Sequence, residues 1–252
     1  MASPIHRAAA SGFERGVADY ERGRPGYPRE AVGWLLDALA LGEGTRVLDL
    51  AAGTGKLTRE LVGASADVVA VEPVRAMREA LAAALPSVRV LDGTAEAIPL
   101  ADDSVDAVTV AQAFHWFDAE RAFAELHRVL RPGGRLALVW NVRDQSDPLQ
   151  LRITELVEPY RGDAPSHASL AWRDAFEQTD LFSPLEERRL AWTQVTDADG
   201  LVARVASISF VAALQEDALR QVAPRVRALA EPSGPIELAY ETQVLWCERL
   251  AT

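Results

Sequence analysis

Two carboxylates at the ends of short apolar runs, set around a glycine-rich turn, are the side chains of this sequence best placed to do chemistry. Asp49 lies in the run Arg46-Val47-Leu48-Asp49-Leu50, which breaks at Ala51-Ala52-Gly53-Thr54-Gly55 and resumes as a helical pattern with Leu57 and Leu61 on one face. A strand feeding a glycine turn and then a helix presents backbone N–H groups at the mouth of a fold. Glycine lets a ligand come close to the main chain, and the helix N-terminus carries partial positive charge. Glu72 closes a second apolar run, Asp67 to Val71, 17 positions after Gly55. That is near the roughly 20 expected of a ribose-binding carboxylate in a nucleotide-binding unit, and a carboxylate can accept from both ribose hydroxyls. The dinucleotide fingerprint needs a third glycine where this chain has Thr58. Asp49 would also repel a pyrophosphate; it suits a ligand with an ammonium group beside its carboxylate.

The elements that must hold these groups alternate. Apolar runs at Val88–Leu91, Val105–Val110 and Arg135–Trp140 continue the strands, and helical patterns begin at Pro28, Pro73 and Asp118. Val32, Leu35, Leu36 and Leu39 give the first helix an i, i+3, i+4, i+7 stripe. Strand and helix in alternation predict an α/β doubly wound sheet with helices on both faces. The third strand runs into Asp92-Gly93-Thr94-Ala95-Glu96, and the fourth exits at Gln112-Ala113-Phe114-His115-Trp116-Phe117-Asp118. From Asp144 to Pro184 the alternation stops, and Leu151, Leu156, Trp172, Phe176, Leu181 and Phe182 mark short helices. A strand around Leu190 to Gln194, a capping box at Thr196-x-x-Asp199, a helix with Leu201, Val202 and Val205 inward, and another from Asp217 to Leu229 follow. Alternation from Ile236 to Trp246 predicts a last strand with Trp246 inside and Cys247 on the other side.

Composition narrows the function classes. The 252 residues are 49% hydrophobic and 25% charged, which suits one domain with a full core. The net charge of −11 argues against sequence-independent binding to nucleic acid or to an anionic membrane. No apolar run approaches the roughly 20 residues of a membrane span, and the first residues lack a signal peptide's order. A single cysteine, Cys247, fits a reducing cytoplasm. His6, His115, His127 and His167 are scattered without metal-ligand spacing, so no metal is expected. There is no G-x-S-x-G elbow.

An acidic residue followed by Ala/Gly-x-Gly-x-Gly, the acidic end of the second strand, and Leu130-Arg131-Pro132-Gly133-Gly134 between helix and strand together resemble the class I S-adenosylmethionine-dependent methyltransferases. The string Gln112 to Asp118 is similar to the small-molecule branch that includes trans-aconitate-type methyltransferases. The family more often has glycine in place of Ala51, and often aspartate in place of Thr94. The resemblance is strong over Thr45–Asn141, moderate over Tyr20–Tyr27, and architectural beyond residue 145. It implies a Rossmann-like, mostly parallel sheet of seven strands in the order 3-2-1-4-5-7-6, the last antiparallel. It divides a single domain, 1–252, into an N-terminal arm or helical lid (1–27), a cofactor-binding core (45–141) and an acceptor-side helical cap after the fifth strand (145–184).

The implied cofactor is S-adenosyl-L-methionine. Asp49, Ala51, Gly53, Thr54 and Gly55 would hold its methionyl end, Glu72 its ribose, and Thr94, Ala95 and Glu96 its adenine. Gln112 would lie near the methionyl amine, and Tyr20, Arg24 and Tyr27 would close over the ligand. His115 is the candidate catalytic base, and the insertion's aromatics are pocket candidates. The partner implied is a small-molecule acceptor, with no nucleic acid or membrane, for a cytoplasmic monomer or homodimer. Two other readings stay open: a cofactor-binding interaction module without turnover, and a nicotinamide-dependent oxidoreductase, against which Asp49, Thr58 and the lack of a Tyr-x-x-x-Lys pair count.

Overall fold

The computed structural model describes residues 12, 14, 16–64, 67–230 and 234–251, with the side chains of 216 and 217 excepted. Seven strands, β1 (Arg46–Leu50), β2 (Asp67–Val71), β3 (Arg89–Leu91), β4 (Val105–Ala111), β5 (Leu130–Arg143), β6 (Glu186–Thr196) and β7 (Ile236–Glu248), form one sheet in the order β3-β2-β1-β4-β5-β7-β6. The first five run parallel; β7 is antiparallel to both of its neighbours. The strand order reverses between β1 and β4, and open α/β sheets bind ligands at the carboxyl ends of the strands at such a point.

The helices are α1 (Val17–Gly23), α2 (Arg29–Ala38), α3 (Lys56–Gly63), α4 (Arg75–Ala84), α5 (Ala119–Val129), α6 (Pro148–Val157), α7 (Ala171–Glu177), α8 (Ala198–Ala206), α9 (Ser209–Ala212) and α10 (Glu216–Leu229). Strand alternation sends successive side chains to opposite faces. Leu48 and Leu50 of β1 pack with Phe123 and Leu126 of α5 and with Trp172 and Phe176 of α7. Val47 packs on the other face with Leu35 of α2, Leu57 and Leu61 of α3, and Leu81 of α4. A third cluster gathers α6, α8, α9 and α10 over the start of β7, through Ile153, Val157, Leu201, Phe210, Val226 and Tyr240. Both faces of β7 are therefore covered. Cys247 is buried in the first cluster, and Trp246, expected inside, is only half-buried beside Arg188. Among the described residues no helix is long and apolar enough to cross a membrane.

Several local expectations shift. Pro28 caps α2 rather than opening its first turn, and Asp197, not Thr196, caps α8 by accepting from Gly200 N–H at 2.6 Å. Trp172, Phe176 and Phe182 belong to the core rather than to a pocket. Within the expected arm or helical lid, residues 17–23 form a helix lying directly on α8: a Cβ built on Gly23 would come within 2.2 Å of Arg204 N. Residues 1–11 of that arm lie outside the described residues.

That contact generates a paired test by urea unfolding. Gly23→Ala forces backbone apart and is expected to destabilise by about 1–3 kcal/mol, the usual cost of overpacking. Gly63→Ala, in a helix with nothing within 4 Å of the added Cβ, should be neutral or stabilise by up to about 1 kcal/mol. Equal effects at the two positions would show that α1 is not docked on α8.

Candidate active site

A cavity of about 810 Å³ opens at the carboxyl ends of β1, β2, β4 and β5. Tyr20, Arg24, Ala51, Gly53, Glu72, Thr94, Ala95, Glu96, Gln112 and His115 all line it, so the sequence-predicted residues from five separate stretches are brought together.

Glu72 is held by the main chain at both carboxylate oxygens. It is buried, and its two carboxylate oxygens accept from Gly53 N–H and Val74 N–H, each at 2.8 Å. One carboxylate thus ties the turn after β1 to the turn after β2. Burial pushes its pKa up to about 7, against the pull of those two N–H groups. Thr94 presents a buried hydroxyl with no protein partner, and Glu96 accepts from Asp118 N–H at 3.0 Å. Tyr20 stands with its hydroxyl 3.6 Å from where a Gly53 Cβ would be, under the Arg24 guanidinium. Tyr27 does not line this cavity; it shares a small separate pocket with Gln112, Tyr20 and Arg24. Ala51 and Gln112, at the exits of β1 and β4, have φ values of 56° and 60°. Such a left-handed conformation costs a non-glycine residue roughly 1–2 kcal/mol. This is the physical reason that glycine suits position 51.

Besides Tyr27, three more expected residues are not on the cavity. Asp49 was to meet a ligand's ammonium, but its carboxylate is fully buried and accepts from Thr58 Oγ1 at 2.6 Å and Thr109 Oγ1 at 2.8 Å. Burial raises its pKa to about 6 despite these two hydroxyls. Thr54 turns away to donate to Glu21. Gly55, with φ 85°, is needed where it caps α3, since a Cβ there would sit 3.0 Å from Leu81 Cγ. All three build the turn from beneath.

His115 is nearly buried beside Trp116, and its Nδ1 has no partner. Burial, then the neighbouring His167, Arg24 and Arg161, lower its pKa to about 3. The candidate catalytic base would work best with a pKa near neutrality, and this environment holds it well below that. So weak a base gains little as a proton acceptor. Sequence reasoning missed the opposite wall, formed by Trp140, Arg143, Arg161, His167, Arg204 and Phe210. One signal existed: Arg204 falls on the buried stripe Leu201, Arg204, Val205, Ile208, where an arginine has no packing reason to be.

Comparison with known proteins agrees with this architecture. Residues 48–138 match the methyltransferase domain family. An uncharacterized methyltransferase of Mycobacterium tuberculosis is 45% identical over 237 residues, 91% of this chain and 92% of that one. A methyltransferase-like protein of Schizosaccharomyces pombe is 34% identical over 94% of this chain and 95% of its own. Among solved structures, a candidate type II methyltransferase from Anaeromyxobacter dehalogenans is 28% identical with a TM-score of 0.64, covering 90% of this chain and 97% of that one. The YcgJ protein of Bacillus subtilis shares the fold at a TM-score of 0.59 and 20% identity, over 89% of this chain and 100% of its own. The chain belongs to the class I methyltransferases.

Two measurements follow from the burial of these groups. Asp49 has a folded pKa above its unfolded value, so its contribution to stability is full below about pH 4 and is lost as pH rises through about 6. Relative to Asp49→Asn, the wild type should lose about 2–3 kcal/mol between pH 4 and 7 and then level off, at 1.36 kcal/mol per pKa unit. A difference independent of pH would mean Asp49 is ionised like an exposed carboxylate. Separately, the NMR signals of the His115 imidazole are expected not to titrate between pH 5 and 8; a midpoint near 6.5 would restore it as a base.

Proposed function

We propose that this protein transfers a methyl group from S-adenosyl-L-methionine to a small-molecule acceptor. Glu72 carries the reading. It is a buried carboxylate at the carboxyl end of β2, fixed by two backbone N–H groups, facing a cavity at the strand-order reversal. Each of its oxygens keeps a further lone-pair site for a ribose hydroxyl. The unpartnered Thr94 hydroxyl fits the same ligand as an acceptor for an adenine amino group, with Ala95 and Glu96 beside it.

When bound, the cofactor supplies a methyl group already activated on a sulfonium. The protein's share is therefore placement and the exclusion of water, with reacting atoms brought to about 3–3.5 Å. Gly53 allows close approach of the main chain, and its N–H positions Glu72. Tyr20 and Trp116 offer aromatic faces that tolerate positive charge. Arg24 is held by Ser207, donating from Nε to its hydroxyl at 3.1 Å and from an Nη to its carbonyl at 2.9 Å, so its guanidinium is set for a carboxylate in the cavity. His115 remains neutral and orients the acceptor by a hydrogen bond at Nδ1 rather than removing a proton. Cytoplasmic residence is part of the same proposal.

Addition of S-adenosylhomocysteine at a hundred times its dissociation constant should add about 2.7 kcal/mol of stability, roughly 2–4 °C in Tm for a domain of this size. Glu72→Ala should weaken that binding by roughly 10–150-fold, the equivalent of about 1.5–3 kcal/mol for hydrogen bonds to a charged group. The carboxylate must ionise to accept from both hydroxyls, so wild-type affinity should increase from pH 6 to 8 and Glu72→Gln should abolish that increase. Stabilisation by a nicotinamide dinucleotide in place of S-adenosylhomocysteine would instead favour the oxidoreductase.

A further inference from the structure

The wall of the cavity contributed by the end of β5, α8 and the segment after α6 is built from guanidinium groups. Arg143, Arg161 and Arg204 line it, with Arg24 alongside. Arg161 has its counter-ion in Glu158, which takes two hydrogen bonds at 2.8 and 2.9 Å. Among the described residues, Arg143 and Arg204 form no ion pair. Arg204 is only 7% exposed; its Nε donates to Tyr240 Oη at 2.8 Å, and its Nη1 is buried with no partner. Nη1 of Arg143 is likewise buried and unpartnered. Burial, then Arg204, lower the pKa of Arg143 to about 10, so Arg143 feels the neighbouring guanidinium and still stays charged at neutral pH.

Charged groups out of water need a counter-ion or strong hydrogen bonds. The protein provides none to these two nitrogens, although its net charge is −11. The cofactor brings one carboxylate, already matched by its own ammonium, and its sulfonium leaves it net positive, so it adds no surplus negative charge for two guanidiniums. An acceptor that carries an anion would supply it. Arginine's planar fork matches a carboxylate with two parallel hydrogen bonds. Trp140 and Phe210 line the same lobe and give a flat apolar wall to a carbon skeleton.

We propose that Arg143 and Arg204 form a carboxylate-binding subsite, and that the acceptor is a small organic acid whose carboxylate sits between them. The proposal rests on the methyl-transfer reading for the cofactor half of the cavity. It adds that the acceptor is recognised by charge.

The experiment uses the full chain saturated with S-adenosylhomocysteine. Binding of acetate, succinate and phenylacetate is measured by calorimetry beside the matching amides, with inorganic phosphate as a further arm. At least one acid should bind where its amide does not. Arg143→Met and Arg204→Met should each weaken it tenfold or more, Arg143→Lys less, while S-adenosylhomocysteine affinity stays within threefold. Among the described residues Arg143 makes no side-chain hydrogen bond, so its variants keep the test valid if Arg204→Met, which also loses Tyr240, fails to fold. Acids and amides binding alike, or no acid binding while S-adenosylhomocysteine does, would overturn the subsite. Parallel loss of acid and S-adenosylhomocysteine in the Arg143 variants would assign the arginines to the cofactor instead. Phosphate binding in place of the acids would overturn the carboxylate. Failure of S-adenosylhomocysteine to bind the wild type would count against the methyl-transfer reading, not against the arginine pair.

Discussion

A single buried carboxylate at the centre of the sheet sets the geometry on which the cavity depends. Asp49 sits on β1 in register with Thr109 of β4, and the same side chain reaches Thr58 of α3. It therefore joins the two strands between which the order reverses, and it fixes the first turn of the helix that follows the glycine turn. No apolar residue could do this, because the bonds are directional and made with water excluded. The electrostatic cost of burial is lessened by the two hydroxyls. It is tolerated because the turn above must hold Ala51, Gly53 and Gly55 at positive φ.

The cavity built over that turn is polarised. Its lining carries the Glu72 carboxylate on β2 and the guanidiniums of Arg143 and Arg204 on β5 and α8, together with two neutral histidines, His115 and His167. Burial keeps both imidazoles uncharged near neutrality, so the field across the site is set by groups whose charge changes little there, apart from Glu72 itself. A ligand with a positive centre and a negative tail would be aligned by this field before any close contact forms. Fixed charge of this kind needs no reorganisation as a reaction proceeds.

The strands and the place of Glu72 on the cavity were legible because periodicity and strand-end chemistry are local: an apolar run ending in a carboxylate at a set distance from a glycine turn reads the same in sequence and in space. The strand order, by contrast, was implied by the family resemblance alone. Asp49, Thr54 and Gly55 carry the same local signal, yet they serve the turn from below. Which side of a strand end faces the ligand depends on the helix packed against it, and spacing does not record that. Arg143 at the end of β5 and Arg204 of α8 are far apart in sequence and meet at Tyr240 of β7. Only the off-pattern arginine on an apolar helix face hinted at them. His115 was found by position, but its weak basicity comes from enclosure by residues distant in sequence.

The placement of β7 has a consequence for how the molecule comes into being. Among the strands, β6 pairs with β7 alone, and β7 also closes the outer edge of β5. During synthesis β6 therefore leaves the ribosome with no strand to join, and β5 keeps an open edge until residues 236–248 have emerged. The parallel strands β1 to β4 have all their partners long before that. Tyr240, which holds Arg204, arrives on the same late strand. The cofactor half of the cavity can thus take shape while the polypeptide is still being made, whereas the arginine-lined half is completed by the final clasp of the chain.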